Sequence, residues 1–423
     1  MDRPFRVPSV MAMRRTFVTL TAITAALGIA AGATATAADR SPGDAGRDAG
    51  PVSRATLQHD ADALLDLGAP GVLVALDTPG RDITVRSGYG NVDRKTPVPW
   101  NARFRIGSYT KTFVAATVLH LAGEGKLSLD DTVEDWLPGL VRGHGHDADA
   151  ITVRMLLQHT SGLPDYVAGL PHLFLEEEFE ARRFETVTAG EAVRTGLRLD
   201  PEDQDTSPGE WSYSNTNYAL IGMIIERAAG HSWQHEVRER IIEPLGLRHT
   251  YAPDTFPFIP GPHAVGYQRF AEKGLEADPE DPRYGEAVDV TVQNPSWGGA
   301  AGEMISTAED ANRFLRALLG GEVLRPAELA EMKKTVRADK FDGPWPGARY
   351  GLGLMWVPNS CGGSWSHGGD IPGYKTRNGV TPDGSRSVVV SLNTDSMVPK
   401  PGVTAPAGDE AADLIDHALC GTG

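Results

Sequence analysis

The sequence predicts an α/β fold of the α+β type: an antiparallel sheet flanked by helices, with an all-helical domain inserted into it. Three observations lead there. Strand signals lie near both ends of the chain, at residues 71–85 and again after residue 286. Between them, from Leu129 to about Gln268, the pattern is helical with polar loops. No internal repeat divides the 423 residues, a length that buries an ample core in one large or two interleaved domains. Strands at both ends with helices between place a sheet domain at 56–128 and 286–423 and a mainly helical domain at 129–285.

Residues 1–37 read as an export signal. Arg14-Arg15 precede an apolar run from Phe17 to Ala31, and Ala35-Thr36-Ala37 supplies an Ala-x-Ala cleavage site. Arg14-Arg15-Thr16-Phe17-Val18 resembles a twin-arginine signal. Residues 38–55, with Ser41-Pro42-Gly43 and Pro51, read as a flexible lead-in. No later segment is long and apolar enough to span a bilayer, so a secreted protein without a stable membrane anchor is expected.

Gly71 to Leu76, Thr78-Pro79-Gly80 and Ile83-Thr84-Val85 read as strand, turn, strand. A helix opening at Ser108 carries Phe113, Val114, Val118 and Leu121 and stops at Gly123-Glu124-Gly125. It is apolar on most sides and therefore buried. Thr152 caps a short helix ended by Ser161-Gly162-Leu163-Pro164, and Glu176 to Arg183 is a charged, solvated helical face. A further helix runs from Tyr218 to Ala229 and ends at Gly230. Strands follow at Gly351 to Leu354, Ser364 to Ser366 and Ser387 to Val390, then a last helix from Glu410 to Leu419.

The formal net charge of −16, with both signs scattered, argues against a nucleic-acid partner. Cys361 and Cys420 are either a bridge or two free thiols; export favours the bridge.

Chemistry concentrates in three motifs. Ser108 and Lys111 are three residues apart at a helix start, the only Ser-x-x-Lys in the chain. Residues i and i+3 share a helix face, so hydroxyl and amine can meet beside unpaired backbone N–H groups, the minimum kit for acyl transfer. Tyr213-Ser214-Asn215 lies on a loop before a helix; a phenol acidified by an ammonium would carry protons, and the Asn215 amide can bond both Lys111 and a substrate carbonyl. His367-Gly368-Gly369-Asp370 follows a strand, where glycines signal close approach, as of a substrate pairing with a strand edge. Singly, each has a plainer reading: a capped helix with a surface lysine, a tyrosine at a domain seam, a Gly-rich turn. His231 and His235 lack a His-Glu-x-x-His frame, and no Gly-x-Ser-x-Gly elbow exists, which points away from a metal site and from an α/β-hydrolase.

Together, Ser-x-x-Lys, Tyr-x-Asn and His-x-Gly in this order resemble the serine β-lactamase and penicillin-binding protein (DD-peptidase) family. Flanking stretches match too: His159-Thr160-Ser161-Gly162-Leu163, Asn215-Thr216-Asn217-Tyr218, and Ala301 to Thr307. The likeness spans about Gly68 to Gly421 and is nearest to secreted D-alanyl-D-alanine carboxypeptidases, which share the histidine and a cysteine pair placed like Cys361 and Cys420. It implies that Ser108 becomes the acyl-enzyme, that Lys111 and Tyr213 divide the proton work in an order left open, and that His367 lines the facing strand as part of the catalytic set. It assigns Asn215, Trp297, Gly368, Gly369 and Asp370 to substrate binding and the oxyanion hole, the latter through the N–H groups of Ser108 and Asp370. It implies a small peptide, ester or β-lactam substrate and no cofactor.

In one respect the chain departs from that branch. The arginine and threonine that bind the substrate's terminal carboxylate are replaced by Met355 and Asp370. An aspartate there repels a carboxylate, unless Lys375 or Arg377 turns inward. The expectation is a secreted serine hydrolase working through an acyl-enzyme, of the penicillin-binding D-alanyl-D-alanine carboxypeptidase type; the departure moves weight toward the second alternative, an esterase or amidase or a weak β-lactamase on the same scaffold, and a non-catalytic binding protein is the third.

Overall fold

The computed structural model describes residues 52–143, 145–201, 204, 206–270 and 286–421. The expected export signal, the lead-in as far as residue 51, and His144 lie outside the described residues.

Strands Gly71–Thr78 and Arg81–Gly88 form the expected hairpin, in register from Gly71↔Gly88 to Thr78↔Arg81. Pro79-Gly80 closes it, with Gly80 in the left-handed region at φ +79°. The hairpin joins a nine-stranded sheet whose order runs Arg81–Gly88, Gly71–Thr78, Ser387–Leu392, Tyr374–Val380, Ser364–Ser366, Met355–Val357, Arg349–Tyr350, Val336–Arg337; Gly369–Ile371 also pairs with Tyr374–Val380. Every pairing is antiparallel.

Strand periodicity explains the layers. Val72, Val74 and Leu76 point to one face and pack with Leu57, Ala61 and Leu64 of helix Arg54–Asp66 and with Leu414 and Ala418 of helix Ala412–Cys420. Leu73 and Ala75 point to the other face and pack with Ala311, Phe314 and Leu315 of helix Ala308–Leu319. A strand covered on both sides reads as an unbroken apolar run, which is how Gly71 to Leu76 reads. Helices Val133–Trp136, Val153–Gln158, Glu176–Arg182, Ala189–Gly196, Asn215–Ala229 and Trp233–Val237 lie between the two groups of strands in the chain.

Four local expectations are corrected. Helix Arg54–Asp66 begins within the stretch read as lead-in, because Ser53 caps it by accepting from the Thr56 N–H. The helix capped by Thr152 ends at His159, in the left-handed region at φ 62°, two residues before the expected stop. Asn215 is the first residue of helix Asn215–Ala229 rather than part of the loop before it. Gly351 to Leu354 is not a strand; the strand is Met355–Val357. A Cβ on Gly353 (φ +65°) would lie 2.5 Å from the Ala115 Cβ and 2.9 Å from the Lys111 carbonyl oxygen. The glycines there let the chain pass close to the helix carrying Lys111.

Cys361 and Cys420 are bridged, tying the last helix to the segment that enters strand Ser364–Ser366. With a sequence separation of 59, the bridge contributes about 4 kcal/mol in the chain-entropy model. The double variant Cys361→Ser/Cys420→Ser is expected to unfold at markedly lower denaturant, and an unchanged midpoint would refute that contribution.

Candidate active site

The turn that carries Ser108 is built from both halves of the chain. Strand Arg103–Arg105 pairs with Ile305–Thr307 and leads into one 3₁₀ turn, Gly107–Tyr109, followed by helix Thr110–Gly123. Ser108 therefore sits in a 3₁₀ turn, not in the α-helix. Three residues per turn stack i over i+3, which aligns Ser108 with Lys111. The helix is buried along nearly its whole length and Phe113 stacks on Phe314, ring centres 3.7 Å apart, so the turn has a rigid base.

Lys111 is fully buried. Its Nζ lies 2.7 Å from Asn215 Oδ1, 2.7 Å from the Ala301 carbonyl oxygen and 3.1 Å from Ser108 Oγ. The first two partners only accept, so they take two N–H bonds; the third position faces the serine. In a neutral amine that position is a lone pair, aimed at the hydroxyl. Burial pushes the Lys111 amine down to about 7, against the pull of the Asp165 carboxylate.

Asp165 was not singled out from the sequence, and it extends the hydrogen-bond chain from Lys111 through Asn215. Asn215 Nδ2 donates to Asp165 Oδ2 at 2.8 Å, while the Val167 N–H donates to Oδ1 at 3.1 Å. This fixes the amide so that its oxygen faces Lys111. The one local hint was an aspartate directly after the Leu163-Pro164 stop, in the position of a turn cap.

Tyr213 reaches the same place from another direction. Lys111 Nζ lies 4.9 Å from the centre of its ring, and Ser108 is its hydrogen-bonding neighbour. Its loop is held by His159, whose carbonyl accepts from the Ser212 N–H and whose Nδ1 accepts from the Ser214 N–H and Asn217 Nδ2. The His159 ring lies against the phenol ring at 4.3 Å. The expectation of an acidified phenol is corrected: burial pushes Tyr213 well above the usual tyrosine range, and Ser108 only partly opposes it. Burial disfavours whichever form is charged, so it lowers the amine and raises the phenol.

His367 stands across the site, with both ring nitrogens occupied. Nδ1–H donates to the Gly368 carbonyl oxygen at 2.8 Å, which leaves Nε2 to accept from the Tyr350 hydroxyl at 2.7 Å. Burial, reinforced by Lys111, takes it down to about 3, so at neutral pH it is an uncharged brace. Asn378 bonds both backbone groups of His367, keeping strands Ser364–Ser366 and Gly369–Ile371 in one register against Tyr374–Val380.

The glycine at 369 has a different cause from the one expected. A Cβ on Gly369 would lie 2.0 Å from the Ile106 carbonyl oxygen and 2.7 Å from Ser108 N; one on Gly107 would lie 3.0 Å from Asp370 N. What approaches Gly369 is the turn that carries Ser108, whereas Gly368 lies against the Thr376 carbonyl oxygen and the Arg377 side chain. Gly369→Ala is expected to push strand and turn apart and reduce turnover by at least about a hundredfold, the order of one lost oxyanion donor. Near-normal activity would refute this packing.

Ser108, Asn215, Trp297 and Asp370 line one cleft of ≈ 330 Å³. The Trp297 carbonyl accepts from the Tyr166 hydroxyl. Met355 is buried with Trp211 and Tyr350 behind Tyr213. Asp370 is exposed and bound by Arg377 at 3.0 Å; Arg377 also binds Asp409, and Lys375 binds Glu410 at 3.1 Å. Neither cation turns toward the cleft unpaired. A larger cavity of ≈ 630 Å³ lies around residues 234–252 and holds none of these groups. His231, His235 and Glu236 have ligand atoms within 4.8 Å of one another, but Glu236 is also bound by Arg240 at 2.7 Å.

A sheet with flanking helices, and a cleft-lining serine beside a buried amine and a phenol, mark a serine hydrolase of the β-lactamase fold. Residues 54–413 match the Beta-lactamase family, and the chain belongs to it. Penicillin-binding protein 4 of Amycolatopsis lactamdurans is 29% identical, over 77% of this chain and 78% of its own. Two solved structures are similar as well. One is a D-stereospecific amidohydrolase from Streptomyces sp., with TM-score 0.76 and 37% identity over 88% of this chain and all of that one. The other is the D-amino acid amidase of Ochrobactrum anthropi SV3 with D-phenylalanine, with TM-score 0.71 and 28% identity over 86% and 97%.

Proposed function

We propose that the protein is an exported amidase, with esterase activity, that works through an acyl-Ser108 intermediate. The observation that carries it is the set of three contacts at Lys111 Nζ. Two carbonyl oxygens hold its N–H bonds and leave its lone pair on the Ser108 hydroxyl. Lys111 takes the hydroxyl proton as Oγ attacks the carbonyl carbon. The oxyanion is received by the backbone N–H groups of Ser108 and Asp370. Tyr213, kept protonated by burial, gives its proton to the leaving amine as the C–N bond breaks, and the Lys111 ammonium re-protonates the phenol. Water then attacks the ester by the reverse route. His367 braces the strand and carries no proton.

The similar amidohydrolase and amidase support an amide bond, and D-configured acyl groups, as the first substrates to test. The D-alanyl-D-alanine carboxypeptidase reading is the second, favoured by the likeness to a penicillin-binding protein. Paired Arg377 and Lys375 disfavour it, since neither is left for a terminal carboxylate. Export is supported by the apolar run with its Ala-x-Ala site and by the Cys361–Cys420 bridge. The test is the purified protein on a D-amino acid amide, a short-chain aryl ester, a D-alanyl-D-alanine peptide and a chromogenic cephalosporin. Amide and ester cleavage with an acyl adduct on Ser108 is expected. Faster release of D-alanine from the peptide than of ammonia from the amide would overturn the proposal in favour of the second reading.

A further inference from the structure

We infer that His231, His235 and Glu236 form a site for one divalent transition-metal ion of the zinc class, which ties helix Trp233–Val237 to the end of helix Asn215–Ala229. The inference does not depend on the amidase reading, because the cluster lies away from Ser108. Asn215, the first residue of the long helix, holds Lys111, whereas His231 follows the last turn of that helix. The helix between them is 15 residues long, which separates the two ends by about 20 Å.

Local sequence builds the cluster. Gly230, in the left-handed region at φ 79°, ends the long helix and turns the chain back. Ser232 then caps the next helix by accepting from the His235 N–H at 3.2 Å. Trp233 is buried against Gly222 of the long helix, where a Cβ would lie 3.3 Å from Trp233 Cδ1. The second helix is thus held in place, and His231 on the turn meets His235 on the helix with ring centres 4.6 Å apart. The His-Glu-x-x-His frame that the sequence lacks belongs to a single catalytic helix; here a turn brings the imidazoles together instead.

Glu236 supplies the observation that points to an ion. Its side chain is only 7% exposed. Arg240 Nε donates to Oε2 at 2.7 Å, while among the described residues Oε1 faces His231 Nδ1 alone, at 3.3 Å. Two donors on a tetrahedral zinc stand about 3.4 Å apart when the bonds are about 2.0–2.1 Å, so these two are already spaced as ligands. All three donors lie within 4.8 Å of one another, and a small rotation of the half-buried His235 ring closes the remaining gap. Arg240 orients the carboxylate as an outer partner of a metal ligand does. The neighbouring cations do not need the open oxygen: Arg240 is also held by Glu124 at 3.1 Å, and Arg238 by Glu239 at 2.8 Å. Arg238 touches His235 Nδ1 at 3.4 Å, a long contact that coordination can displace. Two imidazoles and one carboxylate suit zinc, whereas calcium and magnesium take oxygen ligands. Water completes the shell on the exposed side.

The experiment takes the purified full chain, stripped with a chelator, and titrates it with zinc chloride by calorimetry. One zinc per chain is expected, and His231→Ala and His235→Ala should each weaken it by at least about tenfold. Cobalt(II) should give the visible absorption of a four-coordinate site in wild type and not in either variant. At about a hundredfold excess over Kd, zinc should raise the wild-type Tm by about 3 °C and leave the variants unmoved. Without metal, His231→Ala should melt with the wild type, because that ring is 61% exposed. No saturable binding, equal affinity in wild type and both variants, or tighter binding of calcium than of zinc would overturn the inference. Each of these outcomes leaves the amidase reading in place, which is tested on substrates alone.

Discussion

Ser108→Ala is expected to abolish amide and ester turnover, lowering kcat by about four to six orders of magnitude. The hydroxyl lines the cleft and is bonded to both the Lys111 amine and the Tyr213 phenol. Removing it takes away the covalent step, and what survives is the cleft's ability to bind. Folding should be little changed, since one small side chain facing the cleft is lost while Tyr109 and Phe113 keep the turn packed. Intact-protein mass spectrometry after mixing with an acyl donor reads it directly: wild type gains the acyl mass and the variant does not. A variant that keeps a tenth of the turnover would sink the acyl-enzyme.

The second large effect is the pH dependence of kcat/KM, together with its loss in Lys111→Ala. The base must be the neutral amine. With Lys111 lowered to about 7, the active fraction falls about tenfold per pH unit below roughly pH 6 and reaches a plateau above roughly pH 8. The phenol must stay protonated, and since burial raises it, no fall is expected between pH 8 and 10. His367, down at about 3, contributes no step in this range. A neutral aryl ester is the substrate of choice, because its own charge does not change over this range. Asp165→Asn removes the carboxylate that holds the amine up, so the midpoint should move to lower pH. Lys111→Ala should cost about a thousandfold and leave no midpoint near 7. A rate that declines from pH 6 to 8 would show that the working form is the ammonium.

Much of the fold is written in short-range pattern. The hairpin at 71–88 follows from an apolar run, a Pro-Gly turn and a second run. The buried helix at 110–123 follows from residues apolar on most sides. The i,i+3 spacing of Ser108 and Lys111 put hydroxyl and amine together before any tertiary contact was considered, although a 3₁₀ turn rather than an α-helix realises it. The resemblance added Tyr213 and Asn215, which local pattern alone would have left as a loop tyrosine and a cap.

What the amino-acid order determined by itself, then, was the candidate reactive groups, the family, and the alternation of sheet and helix. The tertiary structure alone decided their charge states and partners. Lys111 falls and Tyr213 rises because groups a hundred residues apart exclude water from the same spot, and Gly369 is a glycine because Ile106 and Ser108 lie against it. Arg377 and Lys375, free on paper to meet a substrate carboxylate, are held instead, Arg377 by Asp370 and Asp409 and Lys375 by Glu410 from the C-terminal segment. Desolvation and charge pairing are sums over everything within a few ångströms, and the chain order does not say which distant residues those will be.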